Sequence, residues 1–251
     1  MIQNSFLLAA LFYLLSFFAT LANKKNLTAV LLVGGLLANL CSVYFRCRQA
    51  WPMLPLYQAP FFLPLFFGVI SVKVAWKDHA TRKNILLILS GLSWLAAFFP
   101  NDHYLPFLHF KSILAHLFFL FGITGRAFFL LSGILAWQIL KQRKEEGSEG
   151  FTLKDVRRSV IWGYFFLTLS IFSGAIWSYL GWGLPIVWDD PAITTAMAAW
   201  LYYSLYLHLH LISFTTVKSR PWFALFGAVW VTVFSWLPDM GRFMVPIIFI
   251  Y

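Results

Sequence analysis

Apolar residues do not alternate with polar ones along this chain. They run continuously, broken by short turns that carry nearly all of the lysines and arginines. About twenty such residues cross the ~30 Å hydrocarbon core of a bilayer as a helix. The runs therefore predict eight transmembrane helices over roughly 4–22, 28–45, 59–76, 84–99, 112–140, 159–180, 194–214 and 222–240. A membrane β-barrel would need short alternating segments, and an open sheet leaves its edge groups unsatisfied in lipid. The expected fold is all-α: a polytopic membrane helix bundle forming a single membrane domain over 1–251. The first run lacks the basic head and small-residue cleavage site of a secretory signal, so it is expected to remain as the first helix.

Composition agrees with the pattern. With 61% apolar and only 11% charged residues, a chain of 251 residues cannot cover itself with polar groups, which excludes a water-soluble enzyme. The net charge of +10 does not point to nucleic acid, because the basic residues sit in short clusters between apolar runs. After odd-numbered helices come Lys24, Lys25, Lys77, Arg82, Lys83, Lys141, Arg143, Lys144, Lys154, Arg157, Arg158, Lys218 and Arg220; after even-numbered ones come only Arg46, Arg48, Lys111 and Arg242. The excess of basic residues marks the cytoplasmic side, so both termini are expected on the outer, periplasmic side of a bacterial inner membrane. The polar stretch from Lys141 to Arg158 then reads as a cytoplasmic connector, and His79 beside Asp78 as a surface residue of a cytoplasmic turn. Cys41 and Cys47 have neither a redox nor a metal-ligand spacing.

Ionisable groups inside spans are costly and mark candidate sites. His116 lies about one turn into the fifth helix from its outer end, and Arg126, ten residues on, is about 15 Å deeper. Arg126 suits an anionic ligand, or else backbone carbonyls at a kink near Gly122 and Gly125. His208 and His210 fall in the cytoplasmic half of the seventh helix, two residues apart and so about 200° around its axis, which keeps them from facing one pocket. Either could ligate a metal or hydrogen-bond a neighbouring helix. The outer stretch over 177–193 holds Trp177, Trp182, Gly183, Trp188, Asp189, Asp190 and Pro191 and no basic residue. A belt at the headgroup level accounts for some of these indoles. An aromatic shelf bounded by Gly and Pro turns also suits a large planar apolar ligand such as a porphyrin, whose iron commonly takes imidazole. Asp190 and Pro191 suit the start of the seventh helix.

Gly174-Ala-Ile-Trp177, Trp182-Gly183, Trp188-Asp189 and the run from Trp200 to His208 resemble the tryptophan-rich haem-handling membrane proteins, above all the CcsA (ResC) family of the system II cytochrome c synthase, with HemX as a close relative. The opening of helix five, Phe110 to His116, and the segment from Arg48 to Gln58 resemble the same family more weakly. The resemblance implies b-type haem (haem b) as the cofactor, bound or carried. It implies His116 as an outer axial ligand and His208 as a membrane-embedded one, both on haem iron. Trp177, Trp182, Gly183, Trp188 and Asp189 would form the outer shelf, and Arg126 would meet a propionate. It further implies a CcsB (ResB)-like membrane partner and apocytochrome c as the acceptor, the chain forming part of a cytochrome c synthase (haem lyase).

The chain departs from that family in places. Ile186 stands where a further tryptophan is expected, Asp190-Pro191-Ala192 replaces the residues after the Trp-Asp pair, and no histidine follows His210. A second outer axial position would fall to Met240, Met244, His103, His109 or a partner, or stay open. Two other functions belong beside the first: a HemX-like regulator or scaffold for tetrapyrrole synthesis, and an accessory membrane subunit without haem-ligation chemistry. Ion transport ranks last, since the spans hold no paired carboxylates.

Overall fold

The computed structural model describes residues 2–50, 59–99, 112–142, 151–186, 188, 191–211, 216 and 218–236. Among these residues every regular element is helical: α1 (Ile2–Leu21), α2 (Lys25–Ala50), α3 (Ala59–Ala75), α4 (His79–Phe98), α5 (Ile113–Gln142), α6 (Leu153–Trp182), α7 (Pro191–His208) with a 3-10 turn over Leu209–Leu211, and α8 (Arg220–Trp236). The all-α membrane bundle expected from hydropathy is the fold observed. Helices α1, α2, α5 and α6 are each long and apolar enough to cross a bilayer, while α3 and α8, at 17 residues, sit at the short end of the spanning range.

The helices overrun their apolar runs where local polar chemistry supports them. Helix α4 begins at His79 and not at 84, because the Asp78 carboxylate accepts from the Thr81 amide at 2.7 Å and caps the first turn. Helix α6 begins at Leu153 and not at 159: the Thr152 amide donates to the Asp155 carboxylate at 2.9 Å in a capping box. At its other end α6 continues to Trp182, so Trp177 and Trp182 lie on a helix and not in the loop expected over 177–193. Helix α2 continues to Ala50, which places Arg46 and Arg48 on a helix and not in an outer loop. Arg46 is buried there, its guanidinium 4.0 Å from the centre of the Phe61 ring.

The chain forms two compact units, residues 1–107 with 239–251, and residues 108–238. In the first, α1 and α2 form a hairpin whose turn uses Asn23 in the left-handed region, φ 57°. Their seam is polar: Ser16 Oγ donates to the Thr28 carbonyl at 3.0 Å, and the Thr20 and Thr28 hydroxyls lie 3.2 Å apart. The outward stripe of α2, with Val30, Val33, Leu37 and Leu40 all exposed, is apolar. Hydroxyls inside and aliphatic side chains outside suit lipid, where a polar group must find its partner within the protein: Thr20 and Thr28 also donate back to the Ser16 and Lys24 carbonyls, each at 3.0 Å. Helix α4 packs on α1 and α3. The ring of His79, expected to be a free surface group, is exposed, yet its Nε2 lies 3.0 Å from the Thr20 carbonyl and ties the start of α4 to the end of α1.

In the second unit α5 is central, packed on α6 and α8, and α7 packs on α6 and α8. The α5–α6 crossing is built on small residues. A Cβ at Gly125 would lie 2.9 Å from the Gly163 carbonyl oxygen, and one at Gly163 would lie 2.6 Å from the Phe129 ring, so only glycine admits this approach. Ser170 Oγ donates to the Phe118 carbonyl at 2.6 Å across the same interface. Phe129 in turn lies flat on the fully buried Tyr203 of α7, centroids 3.6 Å apart.

Candidate functional site

The contacts Phe118–Gly174, Gly122–Ser170, Gly125–Leu167 and Phe129–Gly163 set an antiparallel register between α5 and α6. In that register His116 stands level with Ile176, one residue from Trp177. His116 is 5% exposed, and its Nδ1 lies 3.3 Å from the Ser112 carbonyl. A nitrogen facing a carbonyl oxygen must carry the proton, so the lone pair of this imidazole is on Nε2. That is the tautomer a metal ligand needs, held in place from behind by the helix's own first turn.

The end of α6 at the same level is aromatic. Trp177 is buried and meets Trp182 edge-on, centroids 5.2 Å apart at 78°. Gly183 ends the helix in the left-handed region, φ 74°, its N–H donating to the Tyr179 carbonyl at 2.8 Å. The Ser178 hydroxyl holds the chain back on the helix by donating to the Leu184 carbonyl at 2.6 Å. Trp182, Leu184 and Trp188 are left 48%, 60% and 63% exposed, beside exposed Tyr179 and Leu180. One end of the α5–α6 pair thus combines a buried, tautomer-fixed imidazole with an exposed aromatic rim. Asp189, Asp190, His103, His109, Met240 and Met244 lie outside the described residues.

Arg126 stands level with Phe166, about 15 Å deeper than His116. It faces the interior of its unit, lining with Phe129, Ala196 and Val231 a cavity of about 10 Å³. That is room for a single water and not for a macrocycle.

His208 lies elsewhere. Helix α7 starts at Pro191, next along the chain from the aromatic rim, so its last residue is about 25 Å along the axis from that end. His208 and His210 are both exposed, and their Nδ1 atoms face the Ser204 carbonyl at 2.7 Å and the Leu207 carbonyl at 3.1 Å. Helical geometry sets residues two apart on opposite faces, but here the α-helix gives way to a 3-10 turn at Leu209. Both rings fold back on the preceding carbonyls and lie 6.4 Å apart at 21°. The structure therefore brings His116, Trp177, Trp182 and Gly183 to one end of their unit and puts His208 at the opposite end of α7.

The fold also gathers cations that the sequence keeps far apart. Lys154 and Arg157 of α6, Tyr206 of α7, His210 of the 3-10 turn and Arg220 of α8 line a common cleft. In the sequence these cations are spread over 67 positions and are accounted for by topology alone.

Among the described residues no three His, Cys, Asp or Glu side chains cluster as a metal cage. His116, His208 and His210 each turn Nδ1 toward a carbonyl of the preceding turn.

The family described as Cytochrome C assembly protein matches residues 1–237 of the chain. A Cytochrome c biogenesis protein CcsA of Prochlorococcus marinus (strain AS9601) is 43% identical over 54 residues, 22% of this chain and 17% of the relative. The CcsA of Chlorella vulgaris is 42% identical over 76 residues, 30% of this chain and 24% of the relative. That of Thermosynechococcus vestitus (strain NIES-2133 / IAM M-273 / BP-1) is 39% identical over 71 residues, 28% of this chain and 22% of the relative. The aligned segments thus span less than a quarter of these relatives' length. No solved structure matches the chain significantly.

Proposed function

Because this chain belongs to the cytochrome c assembly protein family, we propose that it handles b-type haem at its outer end in the biogenesis of c-type cytochromes. The observation that carries this reading is the His116 imidazole, fixed as the Nδ1–H tautomer by the Ser112 carbonyl at the level where α6 ends in exposed indoles. His116 Nε2 would be the axial donor. The exposed faces of Trp182 and Trp188 would carry the macrocycle, Trp177 backing Trp182 from the buried side, and Gly183 supplies the tight turn that sets the rim. Asp189, adjoining Trp188, belongs to the same shelf by the resemblance. Haem held there would supply the vinyl groups to which the paired thiols of an apocytochrome c add.

His208, at the other end of α7, would serve a second position along the route, with a CcsB/ResB-like membrane partner supplying the opposing ligand. Arg126, on the interior between the two levels, would meet a propionate only if the helices of its unit part. The excess of basic residues in the odd-numbered loops supports an outward-facing shelf, in a bacterial inner membrane or its equivalent. A second reading, a HemX-like regulator of tetrapyrrole synthesis, draws on one feature: the stretch from Pro238 to Met244, where the resemblance places the second outer histidine, has none.

The absorption spectrum of the purified protein, before and after dithionite, tests the proposal. A reducible b-type spectrum that is weakened by His116→Ala supports it. A colourless protein from cells supplied with a haem precursor would overturn it, and altered levels of tetrapyrrole-synthesis enzymes in a deletion strain with normal c-type cytochromes would favour the regulator.

A further inference from the structure

We infer that the cleft between the ends of α6, α7 and α8 is a binding site for the phosphate of an anionic phospholipid. Three cations meet there from chain-distant segments: Lys154 and Arg157 in the first turns of α6, and Arg220 at the start of α8. Tyr206 and His210 add polar groups, Leu153 and Leu207 an apolar edge. Among the described residues no acidic side chain lines the cleft and none of the three cations forms an ion pair; the nearby Asp155 is taken up in the capping box. Arg220 Nε is buried without a hydrogen-bond partner among these residues. Converging guanidinium groups with unused donors are matched by a doubly coordinating oxyanion, and phosphate is the planar fork's natural complement.

Size and place select the lipid. The cleft has a volume of about 160 Å³, below the ~300 Å³ at which pockets for whole small molecules begin. It therefore takes a headgroup and leaves the rest of the ligand outside. It lies on the side whose loops carry the excess of basic residues, which is the side where basic pockets between transmembrane helices meet anionic headgroups. Leu211, next after His210, and Trp222, two residues after Arg220, are 71% and 57% exposed, an apolar and interfacial surface on which acyl chains can lie. Phosphate bound there would join three helix ends of one unit.

The test is native mass spectrometry of the full-length protein released from nanodiscs of mixed phosphatidylglycerol and phosphatidylcholine. The expected result is one retained phosphatidylglycerol. From the usual worth of a basic residue at a charged membrane surface, Arg157→Gln is expected to weaken retention about fivefold and the Arg157→Gln/Arg220→Gln pair about thirtyfold. Arg158→Gln removes the same charge next to the cleft but outside its lining and leaves retention unchanged; Arg157→Lys, which keeps the charge, retains part of it and serves if the double variant does not fold. Equal retention of both lipids overturns the inference, as does an equal loss in Arg158→Gln, which would mean diffuse surface charge. Displacement by millimolar inorganic phosphate would reassign the cleft to a soluble anion. Displacement by haem but not by its dimethyl ester would reassign it to porphyrin carboxylates.

Discussion

Replacing Gly125 by alanine puts one methyl group where α5 and α6 come closest. The new Cβ would sit 2.9 Å from the Gly163 carbonyl oxygen and 3.1 Å from the Leu167 amide nitrogen. Both are backbone atoms of a regular helix, so no side-chain rotation relieves the clash and the helices must separate by several tenths of an ångström. That movement also loosens the Phe129 ring, which lies over Gly163 and is clamped against Tyr203. Overpacking of this kind costs about 1–3 kcal/mol, and backbone-on-backbone contact puts it near the top of that range. Alanine regains about 0.5–1 kcal/mol as the better helix former, leaving a net loss of about 2 kcal/mol. Gly91→Ala is the control, because its Cβ would meet nothing within 4 Å, so only the helix-propensity gain of about 0.5–1 kcal/mol remains. The two variants should differ by about 3 kcal/mol, roughly a hundredfold in the unfolding equilibrium. SDS titration from mixed micelles, followed by circular dichroism, measures the difference. If Gly125→Ala and Gly91→Ala unfold at the same SDS fraction, the close α5–α6 crossing is wrong, and with it the register that sets His116 level with Trp177.

Other perturbations probe separate parts of the account. Asp78→Ala removes the cap of α4 and is expected to cost about 1 kcal/mol, read by the same titration; no change would mean that the capping bond to Thr81 does not form. Gly183→Ala forces a side chain into the left-handed region at a cost of about 1 kcal/mol. Because the turn sets the aromatic rim, it should shift tryptophan emission and weaken haem retention while leaving helix content intact. His208→Ala should leave the outer site's spectrum in place, since that residue lies at the far end of α7; complete loss of colour would refute the separation of the two sites.

Much of the architecture was legible in the sequence because a bilayer imposes one rule on every span, a continuous apolar run. What the runs could not show were the helix ends beyond the hydrocarbon. Thr152 and Asp155 have the spacing of a capping box, yet they lie in a highly charged stretch that hydropathy alone assigns to a connector. Arg46 looked like a loop residue because a lone charge argues against a span; its burial depends on the face of Phe61, which no local pattern reveals. The chemistry of the site was legible as residue type, an imidazole and several indoles, but not as geometry. Whether His116 offers Nε2 depends on a carbonyl one turn back, and whether His208 and His210 diverge depends on where the α-helix tightens into a 3-10 turn. The division into two units and the cationic cleft arise from tertiary contacts between distant segments, to which a one-dimensional pattern is blind.

The most direct test of the claim that His116 ligates iron is chemical rescue. His116→Gly, purified and reconstituted with haem, is to be examined by low-temperature electron paramagnetic resonance with and without added imidazole. The ferric haem signal of the parent protein is expected to be lost in the variant and to return when imidazole fills the space left by the side chain. A parent-like ferric haem signal in the variant without imidazole would contradict His116 ligation.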